Sequence, residues 1–315
     1  PPDVLELQDV ETPVPGDSEV LVKVVAATVA TGDSEMRGFR FTPWLWIPLR
    51  IMMGITKPRF RILGSDLAGV IVAVGNDVDN FTVGEEVFAT STSFGAHAEY
   101  ICLPADGPLA RNPANMSLEE AASIPTGAYN ALHFLRRANV RRGESVLING
   151  AGGAIGVLAI QLARYFGAEV TAVDSTEKLD MLREIGAHHV VDFTQVDFTT
   201  TGEIYDVIFD VFGNSAYSPC VKMLRPGGRY LLGNPRLMPI LRGIWTSKTS
   251  SKKVVFAFAT PYAEDLEFIR SLIEQGHIKA AIDRIFTLDE FLDAHRFVDT
   301  GQKKGNIIIT MGHHE

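Results

Sequence analysis

One stretch constrains this chain more than any other: Ser145-Val146-Leu147-Ile148-Asn149, then Gly150-Ala151-Gly152-Gly153-Ala154-Ile155-Gly156, then Val157–Phe166. An apolar strand meets a glycine-rich turn, and an apolar helix begins. Glycines let a backbone approach a ligand closely. A helix N-terminus adds free N–H groups and the positive end of a dipole. Together they make a cradle for a diphosphate. The glycines at 150, 153 and 156 are spaced one residue wider than in G-x-G-x-x-G, and a tight turn with no ligand is the competing reading. The next strand, Glu169–Asp174, decides between them, because it ends in a carboxylate at the distance expected for an adenine ribose. Asp174 favours NAD(H). The following Ser175-Thr176-Glu177-Lys178 offers two hydroxyls and a cation to a 2′-phosphate, which favours NADP(H). The choice between the two coenzymes stays open on these residues.

Strand and helix patterns alternate around this turn. Strands are expected at Ser145–Asn149, Glu169–Asp174, His189–Phe193, Asp206–Val211, Arg229–Leu232 and Lys253–Ala259. Helices are expected at Ile155–Phe166, Glu177–Ile185, Ser215–Leu224 and Ala263–Gln275. Such alternation gives right-handed crossovers and a doubly wound parallel sheet. The first third differs. Short β-branched segments at Glu19–Ala26, Ala68–Gly75, Glu85–Ala89 and His97–Cys102, separated by Gly and Asp, suggest a partly open barrel. Ser117 and Glu120 form a capping box that opens a helix. The last stretch, with strands Arg284–Thr287 and Asn306–Met311 around a helix from Leu288 to Val298, returns to the first domain. The α/β chain thus divides into residues 1–114 with 282–315, and residues 115–281.

Bulk properties narrow the partners. The 315 residues carry a formal net charge of −9, which argues against a nucleic-acid partner. No apolar run reaches the roughly 18 residues that a membrane span needs. The two cysteines, Cys102 and Cys220, make no disulfide framework and point to the cytoplasm. Pro1-Pro2-Asp3 does not begin a signal peptide.

The ordered motifs resemble a known family. Gly64-Ser65-Asp66-Leu67-Ala68-Gly69-Val70, Gly84-Glu85-Glu86-Val87-Phe88, the Gly150–Gly156 turn, Gly186-Ala187, Asp210-Val211-Phe212-Gly213 and Arg225-Pro226-Gly227-Gly228 are similar to the medium-chain dehydrogenases/reductases. The nearest branch is the zinc-independent quinone oxidoreductase-like group. The resemblance implies a Rossmann domain beside a β-rich, chaperonin-10-like barrel catalytic domain, with the nicotinamide in the cleft between them. It also implies a first strand preceding Pro1. By carry-over, Thr126 meets the cofactor near its reactive end. Phe212, Gly213, Leu232 and Gly233 line its ribose and nicotinamide, and Asn306 closes the site. Two positions depart from the branch: Ala30 stands where many quinone reductases carry Asn, and Phe193 where many carry Tyr.

The same comparison implies chemistry without zinc. Gly32-Asp33 stands where the zinc alcohol dehydrogenases place a Cys ligand, and Ser65-Asp66 replaces their His-Glu pair. Without a Lewis acid, a quinone or an enone suits a hydride better than an alcohol does. The proton would come from water or from a carboxyl. Asp33 and Asp66 are the candidates, and turn capping or pairing with Arg37 or Arg61 is the alternative for each. The greasy Phe41–Met53 segment and a second apolar segment, Leu237–Trp245, read as loops. Thr31, Trp44, Phe94 and Trp245 are expected to line an apolar pocket, with a lid or subunit contact as the alternative for the two segments. An apolar edge strand at 253–259 invites pairing with its copy, hence a homodimer. Three function classes follow: an NAD(P)H-dependent quinone or enone reductase, a metal-free aldehyde or ketone reductase, and a non-catalytic dinucleotide-binding redox sensor.

Overall fold

Chain order is read here from a computed structural model, which describes residues 2–55, 57–234 and 236–312; the Trp44 side chain lies outside the described residues. The elements begin with β1 (Glu19–Thr28), α1 (Thr31–Gly38), α2 (Trp46–Met53), β2 (Asp66–Val74), β3 (Glu86–Thr90), β4 (Tyr100–Pro104), β5 (Leu109–Arg111), α3 (Leu118–Ala122) and α4 (Pro125–Ala138). Alternation then sets in: β6 (Ser145–Asn149), α5 (Ala154–Tyr165), β7 (Glu169–Asp174), α6 (Leu179–Glu184), β8 (His189–Asp192), β9 (Tyr205–Asp210), α7 (Tyr217–Lys222), β10 (Leu224–Leu232), α8 (Leu237–Thr249) and β11 (Lys253–Phe256). The last elements are α9 (Ala263–Glu274), β12 (Ile282–Thr287), α10 (Phe291–Asp299) and β13 (Asn306–Thr310). They form two compact units. One holds Pro1–Thr126, Pro261–Gly276 and Ala280–Glu315, the other Gly127–Thr260 and His277–Lys279.

The first unit is built on a seven-stranded sheet in the order β12-β13-β1-β2-β3-β5, with β4 paired to β1. β1 serves three neighbours. Its first half, Glu19–Lys23, pairs with β4, its last residues with β13, and its other edge with β2. Two register shifts against β2, at Leu21/Val22 and Val24/Ala26, bend the strand so that one edge can change partner. The result is the curled, partly open barrel that the sequence suggests. Val20, Val22, Leu67, Ile71, Val87 and Ile307 meet in its core. Helix α3 packs on β1, β2 and β3. The capping box is present, with Ser117 Oγ accepting from Glu120 N and Glu120 Oε2 accepting from Ser117 N. Yet the helix belongs to this unit and not to the second, because the Thr28 hydroxyl donates to the Ala122 carbonyl at 2.7 Å. α9 likewise packs on β5, and the Asn115 amide donates to Ile273 O at 2.9 Å. The change of pattern near Asn115 suggests a division at 114/115, and the first compact unit runs on to Thr126.

The second unit is the doubly wound parallel sheet. Its six strands run in the order β11-β10-β9-β6-β7-β8, and every pairing is parallel. The chain reverses its direction of travel across the sheet between β6 and β9, and ligands of such sheets bind at the carboxyl ends beside that point. α5 is buried from Gly156 to Ala163. Two expectations change. Leu237–Trp245 is the start of helix α8, and Phe41–Met53 contains α2. Continuous apolar runs hide the helical period, because both faces of each helix carry apolar residues. The edge strand β11 also ends at Phe256, three residues sooner than its apolar run suggests.

Candidate active site

The glycine turn sits where β6 hands over to α5. Gly150 and Ala151 donate their N–H groups to the carbonyl of Val173 at 3.1 and 3.2 Å, which ties the turn to β7. Gly150 adopts φ 80°, a region open to glycine and strained for other residues. A Cβ on Gly156 would lie 2.4 Å from Gly150 O and 2.5 Å from Ala151 O, so only glycine lets the helix approach the strand this closely. Gly153 is the N-cap of α5, and no side chain caps the helix. The first-turn N–H groups, Ala154 and Ile155 among them, lack intrahelical acceptors by geometry. A diphosphate fits that donor set.

Asp174 is buried at the end of β7, and so is Lys178 one turn on. Asp174 Oδ2 accepts from Gly152 N at 2.7 Å, while Oδ1 accepts from Ser175 N at 2.9 Å and meets Lys178 Nζ at 3.2 Å. The Lys178 stem crosses the turn so closely that a Cβ on Gly152 would lie 2.5 Å from Lys178 Cδ. Thr176 Oγ1 donates to Asp192 and lies 3.3 Å from Thr194 Oγ1. Around the neighbouring strand ends, the Phe212 ring lies over Gly150, with Cδ2 2.6 Å from where a Cβ would stand. Gly213 turns at φ 68°, and Gly233 donates its N–H to Asp210 O at 2.9 Å. Leu232 pairs with Asp210 in the parallel register. The structure thus brings Gly150–Gly156, Asp174, Ser175, Thr176, Lys178, Phe212, Gly213, Leu232 and Gly233 to the carboxyl ends of one sheet.

Sequence reasoning gave no role to the residue that organises this edge. Asp210 is fully buried and accepts from Asn149 Nδ2 at 3.0 Å, Gly213 N at 3.0 Å, Ser215 N at 3.3 Å and Tyr230 OH at 3.1 Å. Asn149 also donates to Ser215 Oγ at 2.8 Å. One carboxylate therefore fixes the course of residues 211–215. The available signal was a polar residue closing an apolar strand, in Asn149 and in Asp210 alike.

The remaining candidates lie in the first unit. Asp33 is the third residue of α1, and its Oδ2 accepts from Ala30 N at 2.7 Å while Oδ1 accepts from Gly64 N at 3.0 Å. This is a brace between two backbone segments, which favours the capping reading of Asp33 over the catalytic one. Gly64, at φ 83°, faces the His97 ring, whose Nε2 lies 3.0 Å from Thr28 O. Asp66 starts β2 and sits at the N-terminus of α4. Its oxygens accept from Thr126 N at 3.0 Å and Thr126 Oγ1 at 2.6 Å. Thr126 is thus held by Asp66. Asn306 is buried in β13, and its side-chain amide donates to Ala281 O at 3.4 Å. Thr31 is exposed at the start of α1. Phe94 is held at φ 61° against the Phe60 ring, 5.1 Å away. Trp245 stands out from α8.

Burial pushes the Asp66 carboxyl up from 3.8 to about 6, against the opposing bonds from Thr126 and Thr90. The folded protein therefore holds this proton longer than the unfolded chain does. Stability from this group is full below about pH 4 and is lost as pH rises through about 6, a change worth about 3 kcal/mol. Asp66→Asn is expected to flatten the dependence of Tm on pH between those limits. A variant whose Tm curve runs parallel to the parent's would show that another group governs the window.

Residues 16–114 match the family described as alcohol dehydrogenase GroES-like domain, and residues 185–309 match the one described as zinc-binding dehydrogenase. The chain is 31% identical to 2-methylene-furan-3-one reductase of Solanum lycopersicum, over 98% of its own length and 76% of the relative's. It is 30% identical to quinone oxidoreductase of Homo sapiens, over 98% and 94%. The solved quinone oxidoreductase of Coxiella burnetii superposes with a TM-score of 0.85 at 27% identity, covering 98% of this chain and 96% of that one. The chain belongs to the medium-chain dehydrogenase/reductase superfamily, among its quinone oxidoreductase-like members.

Proposed function

We propose that this protein is an NAD(P)H-dependent reductase that passes hydride to a quinone or an α,β-unsaturated carbonyl. The observation that carries the reading is the uncapped start of α5 behind Gly150–Gly156, with Asp174 and Lys178 beside it. Relatives named quinone oxidoreductase, and one from Arabidopsis thaliana named NADPH-dependent alkenal/one oxidoreductase, support the acceptor class. A bound dinucleotide supplies the hydride. The chain's own residues do the rest. The open amides of Ala154 and Ile155 hold the diphosphate, and Asp210 keeps Phe212 and Gly213 in place for the nicotinamide ribose. Thr31 and Phe94, both in the first unit, are assigned to the acceptor.

We further propose that zinc takes no part. The positions that resemble ligand sites hold Asp33 and Asp66, whose oxygens are already filled by N–H and O–H donors. Among the described residues no group of three His, Cys, Asp or Glu side chains is placed to hold a metal ion. Cys102 and Cys220 are both free thiols, which suits a cytoplasmic enzyme. Steady-state oxidation of NADPH and NADH with a panel of quinones, enones, aldehydes and ketones tests the function. Turnover confined to aldehydes and ketones would replace the reading. Coenzyme binding with no turnover on any acceptor would favour the sensor.

Dimerisation through β11 is part of the same proposal. β11 pairs with β10 on one side and forms the edge of its sheet. Val255→Lys on that edge is expected to lower the sedimenting mass to that of one chain. A parent protein that already sediments as a single chain at micromolar concentration would end this part of the proposal.

A further inference from the structure

We propose that α2 and the basic segment after it form a docking surface for an anionic lipid bilayer. The charge pattern is the first observation. The chain as a whole is acidic at −9, yet from Met36 to Ser65 it contains no Asp or Glu and carries Arg37, Arg40, Arg50, Lys57, Arg59 and Arg61. Arg37 and Arg40 pair with Asp299. Arg50, Lys57, Arg59 and Arg61 are exposed, and among the described residues none of them pairs with a carboxylate.

The helix supplies the second observation. Leu45, Leu49 and Met53, four apart, make its half-buried side. Ile47 and Ile51 stand on the opposite side, 75% and 67% exposed, Trp46 and Met52 are exposed on the two flanks of the half-buried stripe, and Ile55 follows at 68%. Arg50 shares that exposed side and reaches back over the Phe39 ring at 4.9 Å. An exposed apolar helix surface bearing Trp, with Arg50 on it and the cations Lys57, Arg59 and Arg61 in the segment that follows, has the composition of a helix that lies in a membrane interface. No helix among the described residues is long and apolar enough to cross a membrane, so the mode is peripheral.

Net charge does not oppose this. At physiological salt the screening length is about 8 Å, so a lipid headgroup senses the local cations and little of the distant acids. Charge complementarity is also what selects the occupant. A second copy of this chain would bring the same cations face to face, whereas an anionic leaflet neutralises them.

The test is co-flotation of the full chain with vesicles of phosphatidylcholine, with and without phosphatidylserine. Binding is expected only with phosphatidylserine, and high salt is expected to weaken it. Lys57→Glu with Arg59→Glu should lower partitioning on the order of 100-fold. Ile47→Ser with Ile51→Ser should lower it at every salt concentration. Both double variants should keep the parent's far-ultraviolet circular dichroism and coenzyme affinity. In the parent, Trp46 should be quenched by brominated acyl chains, with Trp46→Phe as the control for the other tryptophans. Absence of binding to phosphatidylserine vesicles would overturn the proposal, as would binding that neither variant changes. Conversion of a dimer to single chains by Ile47→Ser with Ile51→Ser would reassign the face to a subunit contact. A raised KM for a water-soluble acceptor with unchanged vesicle binding would reassign it to the substrate.

Discussion

Lys178→Ala is expected to lower kcat/KM for NADPH on the order of 100-fold and to leave NADH nearly unchanged or improved. A charge-assisted bond to a phosphate is worth about 1.5–3 kcal/mol. The same substitution removes the cation that neutralises Asp174, 3.2 Å away, so the carboxylate turns from masked to repulsive toward a 2′-phosphate. NADH carries no such phosphate, and a carboxylate freed of Lys178 can take its ribose hydroxyls. Both side chains are buried, and breaking a buried pair costs about 3–5 kcal/mol of stability. The ratio of the two kcat/KM values is therefore the measurement to trust, because both coenzymes meet the same folded fraction. Equal losses for the two would show that Lys178 only braces the turn.

The second large effect separates binding from folding within one loop. A Cβ on Gly153 would find its nearest neighbour at Gly150 O, 3.7 Å away, which is ordinary contact. Gly153→Ala should therefore fold, at a cost within about 1 kcal/mol for a poorer N-cap. Its methyl group would nevertheless stand among the amides proposed for the diphosphate. A rise of at least tenfold in coenzyme Kd, about 1.4 kcal/mol, is expected by fluorescence titration. Gly156→Ala is the contrast. Its methyl would meet two backbone oxygens at 2.4 and 2.5 Å, and backbone cannot rotate aside. A loss of about 3 kcal/mol or more in urea unfolding is expected. If Gly153→Ala binds both coenzymes as tightly as the parent, the diphosphate does not rest on this turn.

Much of this site was legible because its residues are close in sequence and their chemistry is local. A strand, three spaced glycines, a helix and a terminal carboxylate at Asp174 are readable without tertiary contacts, and the strand limits at 145–149 and 169–174 agree with the structure. Phe212, Gly213, Leu232 and Gly233 came from the resemblance, and their gathering at the sheet's carboxyl ends depends on strand order. Asp33 and Asp66 show the opposite case. Turn capping was the alternative to an acid role for each, but the sequence could not name the partners. The fold supplies them: Ala30 and Gly64 for Asp33, and Thr126 for Asp66. α2 and α8 were read as loops because their exposed sides are apolar, which erases the contrast that marks a helix.

Alternation of apolar segments and glycine spacing determined by themselves that this chain builds a parallel, doubly wound sheet with a dinucleotide turn, since both follow from backbone sterics and side-chain period over a few residues. The tertiary structure alone decided which polar groups are satisfied. It set Asp210 at the centre of four donors, moved α3 and α9 to the first sheet, and drew Lys178 across Gly152. Those outcomes depend on partners as far apart as Thr28 and Ala122, and a hydrogen bond between distant residues has no period to read.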